Sequence, residues 1–241
     1  MKKELRMTEI DRMKKAEKIA KLLGKNINSE LSDLTALDVG CYDGLLTMHL
    51  KPFFGTIVGI DPDRVAIRRF MERIERDKLN IKVYMASGLE MPFSNGIFDV
   101  VICNHVYEHV PDADKLIYEI YRVLKKGGYL YMAAGNFVCP MELHYQLPFL
   151  QYLPLSYGKT YIRLSGKKFI HYDYKNLRTY GQILHLLSPF KIEDETFEVI
   201  RHPDNYGMSG IITTIGSKIC PMLKGLCRPF VPTYLFVCKK L

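Results

Sequence analysis

The residues able to do chemistry in this chain of 241 residues stand where apolar runs end. The run Leu34–Val39 carries Asp38 and passes into Gly40-Cys41-Tyr42-Asp43-Gly44. Glycines at such a junction let a ligand approach the backbone, and a helix that follows offers free N–H groups. Asp61 ends a second run, where a carboxylate can accept two hydrogen bonds from a ribose diol, and Pro62 follows it. Ser87-Gly88-Leu89 follows a third run and Asn104 closes a fourth. His109 and His144 lie after the fourth and fifth runs, and a neutral imidazole is suited to taking a proton near neutral pH. The spacing Gly40-x-x-x-Gly44 lacks the third glycine of the GxGxxG dinucleotide fingerprint, which argues against a nicotinamide oxidoreductase.

These positions converge only if the runs are strands of one sheet. Apolar runs alternate with helical periodicity, the pattern of a parallel sheet covered on both faces. Strands are expected at Leu34–Val39, Gly55–Ile60, Ile81–Ala86, Phe98–Cys103, Tyr129–Ala134, Phe190–Ile200 and Thr233–Cys238. Helices are expected over 8–23, with Ile10, Met13, Ile19, Leu22 and Leu23 on one face and Gly24 as its stop, and over 63–77. Another starts at the N-cap Asp112 and ends at Lys125-Lys126-Gly127-Gly128, and one more lies near 175–187. Residues 137–174, rich in Tyr, Pro, Leu and Phe without clean periodicity, read as a cap inserted above the carboxyl edge of the sheet. Ligands of open α/β sheets bind at that edge.

Taken in order, several blocks resemble a known family. They are Asp38-Val-Gly-Cys-Tyr-Asp-Gly44, Asp61, the stretch Glu90–Asn104, Glu108-His-Val-Pro-Asp112 and Val123-Leu-Lys-Lys-Gly-Gly128. Together they are similar to the class I S-adenosylmethionine-dependent methyltransferases, and within them to the small-molecule group that contains the ubiquinone and sugar methyltransferases. The resemblance implies a Rossmann-like fold, with a seven-stranded, mostly parallel sheet, an antiparallel last strand, helices on both faces and the inserted cap. It implies one domain over 1–241, made of an N-terminal helical segment (1–33), a cofactor-binding core (34–136), the cap (137–174) and a C-terminal part (175–241).

The resemblance also implies roles. The loop around Gly40, Cys41, Tyr42 and Gly44 would hold the methionine end of S-adenosylmethionine, Asp61 and Pro62 would border the ribose, Ser87, Gly88 and Leu89 the adenine, and Asn104 the sulfonium. Tyr42 replaces the usual middle glycine, so its side chain must point away from the cofactor or cover it. Ser87 replaces an acid and is a weaker acceptor. The expected reaction is methyl transfer to a small-molecule hydroxyl, with His144 as base and His109 as the second candidate. His105-Val-Tyr-Glu108-His109 is similar to the Glu-x-x-Glu-His arrangement that binds a divalent cation in some methyltransferases, but it begins with His, and no metal is expected. An RNA or protein methyltransferase and an inactive cofactor-binding module are the alternatives.

Composition constrains partners. The chain has 34 Lys/Arg and 26 Asp/Glu, a formal charge of +8. Residues 1–25 and 201–241 each carry +5, leaving −2 for residues 26–200, so the basic excess lies at the ends and no nucleic-acid partner is expected. Cap residues such as Tyr145, Phe149 and Tyr157 suggest an apolar or aromatic acceptor. The segment 207–228 is apolar with scattered cations, which leaves peripheral membrane contact open. Six cysteines without CxxC spacing, and no signal peptide or membrane span, fit a cytoplasmic protein in which Cys41 and Cys103 are packing residues.

Overall fold

The computed structural model describes residues 2–142, 145–167, 176–206 and 222–241. Seven strands form one sheet: β1 (Thr35–Val39), β2 (Thr56–Asp61), β3 (Lys82–Met85), β4 (Phe98–Asn104), β5 (Leu124–Gly135), β6 (Phe190–Asp194) and β7 (Thr233–Lys240). Their order is β3-β2-β1-β4-β5-β7-β6. Neighbours are parallel except β7, which runs antiparallel to β5 and β6. The expected sheet is therefore present, and its order reverses between β1 and β4, the point where a crevice opens at the carboxyl ends of the strands.

Both faces are covered, because side chains alternate along each strand. Leu37, Val101 and Met132 pack with Leu116 and Ile120 of α4 (Ala113–Val123) and Ile183 of α6 (Tyr180–Leu186). Their neighbours Ala36, Val100 and Tyr131 face the other way, toward α1 (Lys2–Asn26), α2 (Leu45–Leu50) and α3 (Arg64–Arg76). Ala16, Ile19, Leu22 and Leu23 form the buried stripe of α1. Asp63 caps α3 by accepting the N–H groups of Val65 and Ala66, and Asp112 caps α4 by accepting that of Lys115, as its sequence position suggested.

Several boundaries differ from expectation, each for a local reason. Helix α1 runs past Gly24 to Asn26, whose side-chain amide donates to the Leu22 carbonyl and to Glu195, and Ile10 and Met13 are exposed. Helix α4 ends at Val123, because the Gly96 and Ile97 N–H groups take the carbonyls of Arg122 and Val123. Lys125-Lys126-Gly127-Gly128 thus belongs to β5, not to a helix end. The sixth strand stops at Asp194, whose carboxylate accepts the Thr196 N–H and turns the chain into α7 (Thr196–Arg201). Helix α6 starts at Tyr180 because Thr179 and Gln182 form a capping box. Within 137–174 the irregular reading gives way to α5 (Leu155–Leu164) and a small cluster of Tyr145, Leu147, Leu150 and Ile162.

Candidate active site

The glycine loop is tied to the second strand by its backbone. Gly40 and Cys41 both donate to the Ile60 carbonyl at 2.9 and 3.0 Å, and the Tyr42 N–H donates to Asp61 Oδ2 at 2.9 Å. The loop can make this turn because Gly40 and Gly44 adopt φ of 74° and 78°, and Tyr42 follows at 50°. No room exists for larger residues: a Cβ on Gly40 would lie 2.6 Å from Val106 Cγ2, and one on Gly44 2.0 Å from Phe70 Cδ2. The Tyr42 side chain is 51% exposed and lies at the edge of the cavity described below, so it borders the opening instead of filling it.

Asp61 is buried, and its other oxygen accepts the Asp63 N–H at 2.8 Å. Each carboxylate oxygen retains a lone-pair direction, so the group can hold the loop and still accept from a ligand. Asp38, buried on β1, accepts the Thr47 hydroxyl at 2.6 Å. Burial pushes its carboxyl up to about 7, the Thr47 hydrogen bond opposes this, and the nearby Asp61 charge adds to it. The thiols of Cys41 and Cys103 are pushed up by burial, which suits packing residues and not nucleophiles.

Two cavities meet at the carboxyl edge. One, of about 470 Å³, is lined by Asp38, Gly40, Cys41, Tyr42 and Asn104, together with Arg12 and Lys15 of α1. A larger chamber of about 720 Å³ opens between α1, α7 and the ends of β5 and β7. Asn104, His105, Lys15 and Thr233 line both. Asn104 ends β4 paired with Ala133, and His105 follows at φ 57°, its N–H donating to the Ala133 carbonyl at 3.0 Å. Its Nδ1 lies 3.0 Å from Oε1 of Glu108, which is 2% exposed and whose Oε2 has no hydrogen-bond partner.

The structure thus brings Asp38, Gly40, Cys41, Tyr42 and Asn104 to one cavity and joins Asp61 to them through Tyr42. Pro62 and Ser87 are exposed, and neither they nor Gly88 and Leu89 line it, although the Ala86 N–H donates to the Asp61 carbonyl and brings the end of β3 alongside. His109 is exposed and lines neither cavity, and His144 falls outside the described residues. Among the described residues no three His, Cys, Asp or Glu side chains gather as a metal set. Sequence reasoning did not select His105, Lys15, Lys18 or Tyr131. The i, i+3 spacing of Lys15 and Lys18 beside the apolar stripe of α1 was the available signal.

Residues 37–132 match the family described as methyltransferase domain. Over these residues the chain is similar to methyltransferase domains. Among its relatives, the ubiquinone biosynthesis O-methyltransferase of Coxiella burnetii is 30% identical over 135 residues, 56% of this chain and 53% of that protein. The protein of the same name from Pelagibacter ubique is 32% identical over 112 residues, 46% of each. The chain spans about half the length of these curated relatives. Two solved structures share the fold. The YcgJ protein of Bacillus subtilis aligns with a TM-score of 0.58 at 13% identity, covering 92% of this chain and 97% of that one. Geranyl diphosphate C-methyltransferase of Streptomyces coelicolor aligns with a TM-score of 0.55 at 15% identity, covering 92% and 76%.

The residues present fit S-adenosylmethionine by their chemistry. Asp38, Arg12 and Lys15 line one cavity, where the buried carboxylate would suit the ammonium of an amino acid end and the two cations its carboxylate. Asp61 offers acceptors beside the same loop.

Proposed function

We propose that this protein transfers a methyl group from S-adenosylmethionine to a hydroxyl of a small-molecule acceptor. The observation that carries the reading is the meeting of two cavities at Asn104 and His105: one bears the glycine loop and its carboxylates, and the other is apolar and large enough for an organic acceptor. The relatives' name, O-methyltransferase, supports oxygen as the acceptor atom.

In this reading the loop Gly40–Gly44 and Asp38 hold the methionine end, Asp61 the ribose hydroxyls with Pro62 beside them, Ser87–Leu89 the adenine, and Asn104 the region of the sulfonium. When bound, the cofactor supplies an activated methyl group. The protein then aligns the acceptor and removes its proton. In the tautomer in which Nδ1 of His105 donates to Oε1 of Glu108, Nε2 is the ring nitrogen that can take a proton. His105 therefore takes the base role at the junction of the cavities, with Glu108 as its positioning residue. His144 is the second candidate for base, and exposed His109 ranks behind both.

The test is incubation with methyl-labelled S-adenosylmethionine and a metabolite extract, following labelled products and S-adenosylhomocysteine. A labelled small molecule that is absent with His105→Ala but present with His144→Ala supports the assignment. The reverse pattern moves the base to His144. Cofactor binding without any product would instead mean a binding module.

A further inference from the structure

The larger chamber has a chemistry of its own. Val199, Ile200, Val231 and Leu235 form apolar walls, and among the described residues no aspartate or glutamate lines it. Two cations do: Lys15 and Lys18, both partly buried and three residues apart on one face of α1. The next two lysines on that helix face have partners, for Lys21 donates to the Asn205 carbonyl at 3.0 Å and Lys25 to Glu195 at 2.9 Å. Among the described residues no carboxylate lies within ion-pair distance of Lys15 or Lys18. Burial has brought Lys15 down to about 8, with Arg12 and Lys18 adding to the effect, and burial lowers Lys18 as well. Tyr131 of β5 lines the same chamber, fully buried, with a hydroxyl that has no hydrogen-bond partner among the described residues.

An apolar chamber with two cations that make no ion pair and a hydroxyl without a hydrogen bond among the described residues is complementary to one kind of molecule. We infer that the chamber binds the methyl acceptor, which rests on the function proposed above, and that this acceptor is a small amphipathic acid. Its apolar body packs against Val199, Ile200 and Leu235, its carboxylate or phosphate is held by Lys15 and Lys18, and a polar substituent satisfies Tyr131. Lys15 also lines the cofactor cavity together with Arg12, so Lys18 is the residue that separates acceptor from cofactor. The ligand is a free molecule and not the headgroup of a membrane lipid, because the cations sit inside a chamber with apolar walls and not on a flat face.

Octanoate, octanol and octylamine are matched probes for calorimetric titration of the full chain, with and without S-adenosylhomocysteine. Octanoate should bind at one site about tenfold or more tighter than octanol, with octylamine weakest, the difference expected for one charge-assisted contact. Lys18→Met should abolish that preference while leaving octanol and S-adenosylhomocysteine affinities unchanged. Lys14→Met, at an exposed position of the same helix, should keep it. Equal affinity for acid and alcohol, or a preference that survives Lys18→Met, overturns the inference. So does Lys18-dependent binding to phosphatidylglycerol vesicles without saturable octanoate binding, which would indicate a lipid surface. Failure of S-adenosylhomocysteine to bind would overturn the methyltransferase reading instead, and the octanoate preference is read separately in cofactor-free protein.

Discussion

His105 Nδ1 and Glu108 Oε1 lie 3.0 Å apart at the point where the two cavities meet, with the carboxylate almost wholly buried. His105 sits in the left-handed region at φ 57°, a conformation a non-glycine residue keeps only when its surroundings impose it. The bond from its N–H to the Ala133 carbonyl provides that constraint on the backbone, and Glu108 provides it on the ring.

If this pair supplies the base, His105→Ala lowers kcat by about 100-fold or more without changing cofactor affinity. Glu108→Gln lowers it about tenfold by loosening the ring, and the double variant is no worse than His105→Ala alone. Steady-state kinetics on the three variants checks this. Independent, additive losses would show that the two residues do not act as a unit.

If Asp38 holds the cationic end of the cofactor as proposed, cofactor affinity depends on pH. Its folded pKa, about 7, is raised above that of a free carboxyl, so the folded protein holds the extra proton between about pH 4 and 7. The stability this contributes is present below the unfolded value and lost as pH rises through about 7. A cationic ligand prefers the ionised form, so S-adenosylmethionine should bind up to about tenfold tighter at pH 8 than at pH 6. Asp38→Asn should flatten that dependence, and calorimetry across this range reads it directly.

The glycines of the loop and of α1 should respond with opposite signs. Gly44→Ala combines a positive φ with a Cβ 2.0 Å from the Phe70 ring, and should cost about 2–4 kcal/mol of stability. Gly24→Ala meets nothing within 4 Å in a helix, and should add about 0.5–1 kcal/mol. Urea unfolding of the two variants gives both numbers.

What the sequence revealed depended on how local each feature is. Strand β4 is apolar from Val100 to Cys103 because it is buried there on both faces, and Asn104 at its end, like Asp61 on β2, could be placed from strand position alone. The sixth strand ends before Ile200 although apolar Phe197 and Val199 follow Phe190 and Ile192, because the Asp194 side chain turns the chain into α7. The lysines before Gly127 look like a helix end, but the preceding helix is closed earlier by N–H groups from Gly96 and Ile97, 25 or more residues upstream in the chain. The chamber is the least legible feature. Lys15, Tyr131, Val199 and Leu235 come from four distant elements, and no spacing in the chain connects them.

The central claim is that the glycine loop and Asp61 together bind S-adenosylmethionine. Calorimetric titration of the cofactor into the full chain and into Asp61→Asn tests it most directly, with circular dichroism confirming that the variant is folded. The account predicts one-to-one binding to the unaltered protein, weakened about tenfold or more in Asp61→Asn through loss of charge-assisted bonds to the ribose. No heat of binding to the unaltered protein, or equal affinity in the two folded proteins, would contradict it.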